Sequence, residues 1–230
     1  MNRYQWFKAK WPIPMAELAK KLKKFSFDEN QTSGFILDRI RENFIEARYI
    51  EKLEISETVK DPFGKEFVYN KILYKECSLR LSDDSPIGLE FINPPKGLQG
   101  LISKLSQATD FMLTITPLKI DLLKWIDCLD NSIQEKANIK SIEITGLDLG
   151  YGVSAKTLIK GPKNVLDASN LLTTDRKYNL EKIQAVYNNF GNIIITTNGC
   201  AKIEKDIYHE NIKKIRKSLS ALFIEPLNKT

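Results

Sequence analysis

The residues whose types and spacing come nearest to a known chemistry are Gly150-Tyr151-Gly152-Val153-Ser154-Ala155-Lys156-Thr157. A phosphate-binding loop uses successive backbone N–H groups to cradle phosphate, a lysine to meet the outer phosphates and a Ser/Thr hydroxyl to hold magnesium. Lys156 and Thr157 stand in the right places, but Ala155 occupies the position of the second glycine. Val153, Ala155, Thr157 and Ile159 also alternate as on a strand, and Gly161-Pro162 follows where a long helix is needed. The spacing therefore favours a Gly-rich hairpin turn over a nucleotide site.

Carboxylates offer a second chemistry. Glu143, Asp148, Glu181 and Lys182 lie on segments that read as neighbouring strands, and carboxylates brought together could hold magnesium for phosphodiester cleavage. Their spacing does not separate them from an ordinary solvated sheet face. His209 is the only histidine, which excludes a multi-histidine zinc site and a His-based triad and leaves a surface position as its expected place. Ser154 sits in GVSAK and lacks the second glycine of a nucleophile elbow. No catalytic residue, metal or cofactor is assigned.

The broader pattern is cationic. The formal charge is +6: residues 1–24 carry seven Lys/Arg against one acid, residues 201–230 seven against four, and the middle has more acids than bases. Arg3, Lys8 and Lys10 interleave with Tyr4, Trp6, Phe7 and Trp11, as in grooves where rings stack on bases and cations meet phosphates. Lys20, Lys21, Lys23 and Lys24 cluster on a first helix, and Lys213, Lys214, Arg216 and Lys217 on a last one. The expectation is a non-enzymatic module that binds nucleic-acid backbone through Arg3, Trp6, Lys8, Lys10, Lys20, Lys21, Lys24, Lys213, Lys214, Arg216 and Lys217. It requires the two ends of the chain to meet. The competing reading makes Tyr4, Trp6 and Trp11 core rings and the lysines a solvated surface. A metal-dependent phosphodiesterase and a structural subunit, with a protein partner or a second copy, are the alternatives.

The elements that must position these residues centre on Ile45–Leu81. Tyr49, Leu53, Ile55 and Val59 share one parity and Arg48, Lys52, Glu54 and Lys60 the other, so one face is buried and one wet. Asp61-Pro62-Phe63-Gly64 supplies the turn. On the return, Phe67, Tyr69, Leu73, Cys77 and Leu79 alternate with Val68, Ile72 and Tyr74, which predicts a strand covered on both sides for part of its length. Before it come a strand over 3–11, a helix opened by Pro14 and a short helix in Phe35–Phe44. After it come a strand over 87–92, a helix after Gly97, a short strand in 111–116 and a helix opened by Pro117. The last part reads as two hairpins, a brief strand at 200–203 and a helix over 208–223 ended by Pro226.

The fold class is α+β, a mainly antiparallel sheet built on the hairpin at about 45–81 with flanking helices. Two lobes are expected, 1–135 and 136–230. Cys77, Cys128 and Cys200 are odd in number and far apart, which points to reduced thiols and a cytoplasmic location. No apolar run reaches the length of a membrane span, and the first residues lack the apolar core of a signal peptide.

Overall fold

The computed structural model describes residues 1–204 and 209–223. In chain order they form β1 (Asn2–Lys10), α1 (Met15–Lys23), β2 (Ser33–Ile40), β3 (Phe44–Lys60), β4 (Glu66–Ser82), β5 (Leu89–Ile92), α2 (Gln99–Ala108) and β6 (Thr114–Pro117). They continue with α3 (Leu122–Ile133), β7 (Asn138–Gly150), β8 (Val153–Lys160), α4 (Leu166–Thr173), β9 (Asn179–Tyr187), β10 (Gly191–Thr196), β11 (Cys200–Ile203) and α5 (His209–Ala221). Strand dominates and the strand pairings between these elements are antiparallel, so the class is α+β with mainly sheet. The chain divides into two compact units. One holds residues 1–8, 85–87 and 116–230, and the other holds 9–84 and 88–115. The expected boundary near 135 falls inside the first of these.

The unit of 9–84 and 88–115 is a meander, β2-β3-β4-β5, with α1 and α2. Pro14 precedes α1, where its fixed φ suits a helix start, and Met15, Leu18, Ala19 and Leu22 form the buried stripe. Residues 33–40 are strand β2, not the short helix that the fourfold spacing of Ile36, Ile40 and Phe44 predicts. Pairing decides it: β3 bonds to one edge of β2, while Phe35 receives a hydrogen bond from the Phe27 amide and donates its own to the Phe25 carbonyl. Gly34 permits that approach, since a Cβ there would lie 2.5 Å from the Phe27 nitrogen.

β3 and β4 pair without interruption from Phe44↔Ser82 to Lys60↔Glu66. At the base Ile45, Ala47, Tyr49, Cys77, Leu79 and Leu81 are buried on one face. Further out β2 ends at its Ser33↔Glu51 pair, and the pairing of β4 with β5 begins only at Ser78. Glu66–Glu76 are exposed throughout, so the return strand is not covered on both sides as its composition predicts. At the tip the Asp61 carboxylate accepts the amides of Phe63 and Lys65, each at 2.8 Å, and Gly64 takes φ +88°.

In the other unit the strand order is β1-β11-β10-β9-β7-β8. Tyr4, Trp6, Ala201, Ile203, Ile193, Ile195, Ile183, Ala185 and Tyr187 line its buried face. The helix expected from Pro117 starts at Leu122 instead, because the Asp121 carboxylate caps it by accepting the amides of Leu123 and Lys124. Leu118 and Ile120 are buried ahead of it, outside any helix or strand. α3 packs on α5, where Trp125 Nε1 donates to Ser218 Oγ at 3.1 Å. α4 has no counterpart in the expected elements. Its eight residues bury mainly Ser169 and Thr173, so its apolar period is weak.

Candidate interaction surfaces

On β1 the strand parity sets Tyr4 and Trp6 on the core face. Trp6 is fully buried, stacks near-parallel on Tyr4 at 5.7 Å and meets Trp125 edge-on at 5.9 Å. It is therefore a core ring and cannot stack on a base, contrary to its place in the expected nucleic-acid set. Arg3 is half-buried, and Lys8 and Lys10 are exposed. Trp11 is half-buried, and its indole N–H donates to the carbonyls of Ser82 and Gly88, each at 3.1 Å. The ring-and-cation alternation is thus split between interior and surface.

The head and tail of the chain do meet within one unit: the Lys8 ammonium lies 4.6 Å from the Phe223 ring centre. On α5, Ile212, Ile215 and Leu219 face inward while Lys213, Lys214 and Lys217 are exposed and Arg216 is half-buried. The side chain of His209 and residues 205–208 and 224–230, with Tyr208 and Pro226, lie outside the described residues. In the other unit Lys20, Lys23 and Lys24 are exposed on or just after α1. Lys21 reaches Asp110 at 2.6 Å, and that hydrogen bond holds its ammonium above the usual lysine range.

The Gly-rich stretch is a hairpin turn. Gly150, Tyr151 and Gly152 all have positive φ, and the chain runs on as β8 with no helix behind it. Lys156 lies 2.7 Å from Glu143, whose other oxygen takes Lys182. The hydrogen bonds from Lys156 and Lys182 hold the Glu143 carboxyl below its usual range. Glu181 accepts from the Thr145 and Thr197 hydroxyls, and Asp148 accepts the Gly150 amide at 2.8 Å. Each carboxylate of the expected cluster is thus bound to a neighbour. Among the described residues no three His, Cys, Asp or Glu side chains are placed to hold a metal ion. None of the three cysteines is in a disulfide; burial pushes the thiols of Cys128 and Cys200 up and keeps them protonated.

The surface that composition did not reveal is the distal half of the β3–β4 hairpin, hereafter the arm. Val59, Phe67, Val68, Tyr69, Ile72, Leu73 and Tyr74 are all exposed along it, and Phe63 at the tip is 96% exposed. Its charges are largely paired with one another: Lys52–Glu54 at 3.4 Å, Lys60–Glu66 at 3.7 Å and Lys71–Glu57 at 2.5 Å. Ser56 donates to Asn70 at 2.6 Å. At the foot, a shallow notch is bounded by Tyr49, Glu51, Lys75, Cys77, Pro95 and Leu98 among others. These apolar side chains lie on both faces of the ribbon, and large exposed apolar surface often marks an interaction site. The only signal in the sequence was the return strand's apolar residues on both parities, which read equally well as a buried strand.

Among the described residues no helix is long and apolar enough to cross a membrane. No protein-family model matches the chain, and a search of curated proteins finds no match either.

Proposed function

We propose that this chain is a non-catalytic subunit that joins a protein assembly through the β3–β4 arm. One observation carries the reading: a two-stranded ribbon bearing exposed Val59, Phe63, Phe67, Val68, Tyr69, Ile72, Leu73 and Tyr74. Such a ribbon is marginal in water by itself, and burying its rings against another protein removes them from solvent. Its mutually paired charges fit a protein surface better than phosphate. Cysteines outside any disulfide fit a reducing compartment, and the cytoplasm is the proposed location. The test is to shorten the hairpin by joining the opposed residues Glu51 and Lys75 through a two-residue turn. In a native extract, the full chain should migrate in a complex larger than itself and the shortened chain should not; equal migration refutes the reading.

Nucleic-acid backbone is the second reading, favoured by the exposed Lys213, Lys214 and Lys217 opposite the buried stripe of α5. Lys8, Lys10, Lys20 and Lys24 extend the exposed cationic surface within their own units. Binding of this kind weakens steeply with salt. The site would work by phosphate contact alone, without the base stacking that Trp6 was expected to add.

A further inference from the structure

We infer that the open face of the β1-β11-β10-β9-β7-β8 sheet receives a single strand of nucleic acid. The inference rests on the second functional reading, that the chain meets nucleic-acid backbone, and it names a surface other than α5 and the form of strand that fits it. Three observations support it.

The first is where the charge lies. The unit of residues 1–8, 85–87 and 116–230 carries 19 Lys/Arg against 13 Asp/Glu, and the other unit carries 16 of each. The whole surplus of +6 therefore belongs to the unit that holds this sheet. A polyanion is drawn to such a concentration of positive charge.

The second observation is register. One face of the sheet is closed, since Trp6 lies against Trp125 of α3 and Trp125 in turn bonds Ser218 of α5. Side chains of the other parity stand on the opposite face. Pairing across the six strands sets Arg3, Lys202, Ile194, Gln184, Ser141 and Lys160 in one row. The next row is Gln5, Cys200, Thr196, Lys182, Glu143 and Leu158. All of these except Ser141 are half-buried or exposed. With strands roughly 4.8 Å apart, each row is about 24 Å long. Arg3 and Lys202 stand at one end, and Lys160 with Lys156 at the other. Ile194, Gln184, Ser141 and Thr196 between them are uncharged. Phosphates suit the cationic ends, and base faces and edges suit the neutral centre. A duplex stacks its base faces inside and would leave that centre unused.

The third is the disposition of the acids. Five cations, Arg3, Lys156, Lys160, Lys182 and Lys202, share the face with Glu143 and Glu181. Glu181 accepts from the Thr145 and Thr197 hydroxyls. Glu143 takes both Lys156 and Lys182, so that trio keeps a surplus positive charge and holds two ammoniums in place. Cations already held in position lose less freedom when a phosphate arrives. Glu204, past the end of β11, has its carboxylate beside Gly191 at the start of β10.

The test is fluorescence anisotropy with labelled oligo(dT), oligo(U) and a duplex of the same length, over a salt series. The wild type should bind one or both single strands more tightly than the duplex. K160Q/K202Q, which removes an exposed cation from each end, should weaken single-strand binding by about tenfold or more. It should also flatten the slope of log affinity against log salt by about 1.4, two contacts at ~0.7 each. K65Q/K96Q removes the same charge from exposed positions in the neutral unit and should bind as the wild type does. Equal urea midpoints show that each variant is folded. Equal affinity for duplex and single strand, or a K160Q/K202Q variant that binds as the wild type does, overturns the inference. So do phosphatidylserine vesicles that bind as tightly as oligo(dT) and lose affinity in the same variant. If binding instead disappears only when Lys213, Lys214 and Lys217 are replaced, the sheet face fails while the second reading stands. If nothing binds at low salt, both fail.

Discussion

Trp6 shows how one residue type supports two opposite expectations. A tryptophan among cations on a first strand has the composition of a base-stacking platform, yet strand parity places it with Tyr4 on the core side, against Trp125. Trp6→Ala should cost about 3–5 kcal/mol of stability, as other truncations of large buried rings do, read as a lower urea midpoint. A variant as stable as the wild type would show that the ring is not in the core. Tyr187 is also buried; its hydroxyl donates to Asp130 at 2.9 Å, and burial raises its pKa above the usual 10.0. The folded state keeps that proton while the unfolded chain ionises, so stability present below pH 10 falls as pH rises past 10. Tyr187→Phe should flatten that alkaline fall and cost about 1–3 kcal/mol at neutral pH, because an acceptor of buried Asp130 loses a donor. Glu143 works in the opposite sense: its lysine partners lower its pKa, so its contribution is present above pH 4.5 and lost as pH falls through the lower folded value. The stability gap between wild type and Glu143→Gln should therefore be constant near neutrality and shrink in acid. A gap independent of pH would remove the ion pairs from the account.

At the scale of elements, the long hairpin, α1, α2, the two C-terminal hairpins and the helix containing Lys213 were legible because each has a turn signal or a clean apolar period. β2 was not, because Ile36, Ile40 and Phe44 satisfy a helical spacing while the decision lies in backbone bonds to Phe25, Phe27 and β3, which side-chain periodicity does not register. α4 was missed for the reverse reason, since its buried positions are Ser169 and Thr173. The arm was read correctly as two paired strands and wrongly as covered. Apolar residues on both parities are the same letters whether the neighbours belong to this chain or to another molecule. Leu73→Asn, on the exposed part of the arm, should shift the monomer's stability by less than about 0.5 kcal/mol. A loss of several kcal/mol, measured by urea unfolding of the dilute protein, would mean that the arm is packed within its own chain.

For the whole molecule, the +6 charge and its concentration in the terminal segments were plain from the sequence, but charge alone does not name a partner. A filter-binding series in rising salt separates the two functional readings. Nucleic-acid binding through α5 predicts retention at low salt that falls steeply and is largely lost when Lys213, Lys214 and Lys217 are replaced by Glu. No retention at low salt leaves the arm as the functional surface.

The pairing of β1 with β11 also has a consequence for how the chain is made. Asn2 bonds opposite Ile203, and Gln5 opposite Cys200, so this edge of β1 is paired only once residues 200–203 have been made, although β1 also pairs with β6. At about 5–20 residues per second, Trp6 waits some tens of seconds for its companions. The segment 9–115, whose partners are close in sequence, has time to assemble meanwhile. The edge of β1 that meets β11 thus closes late, after the segment 9–115 has been made.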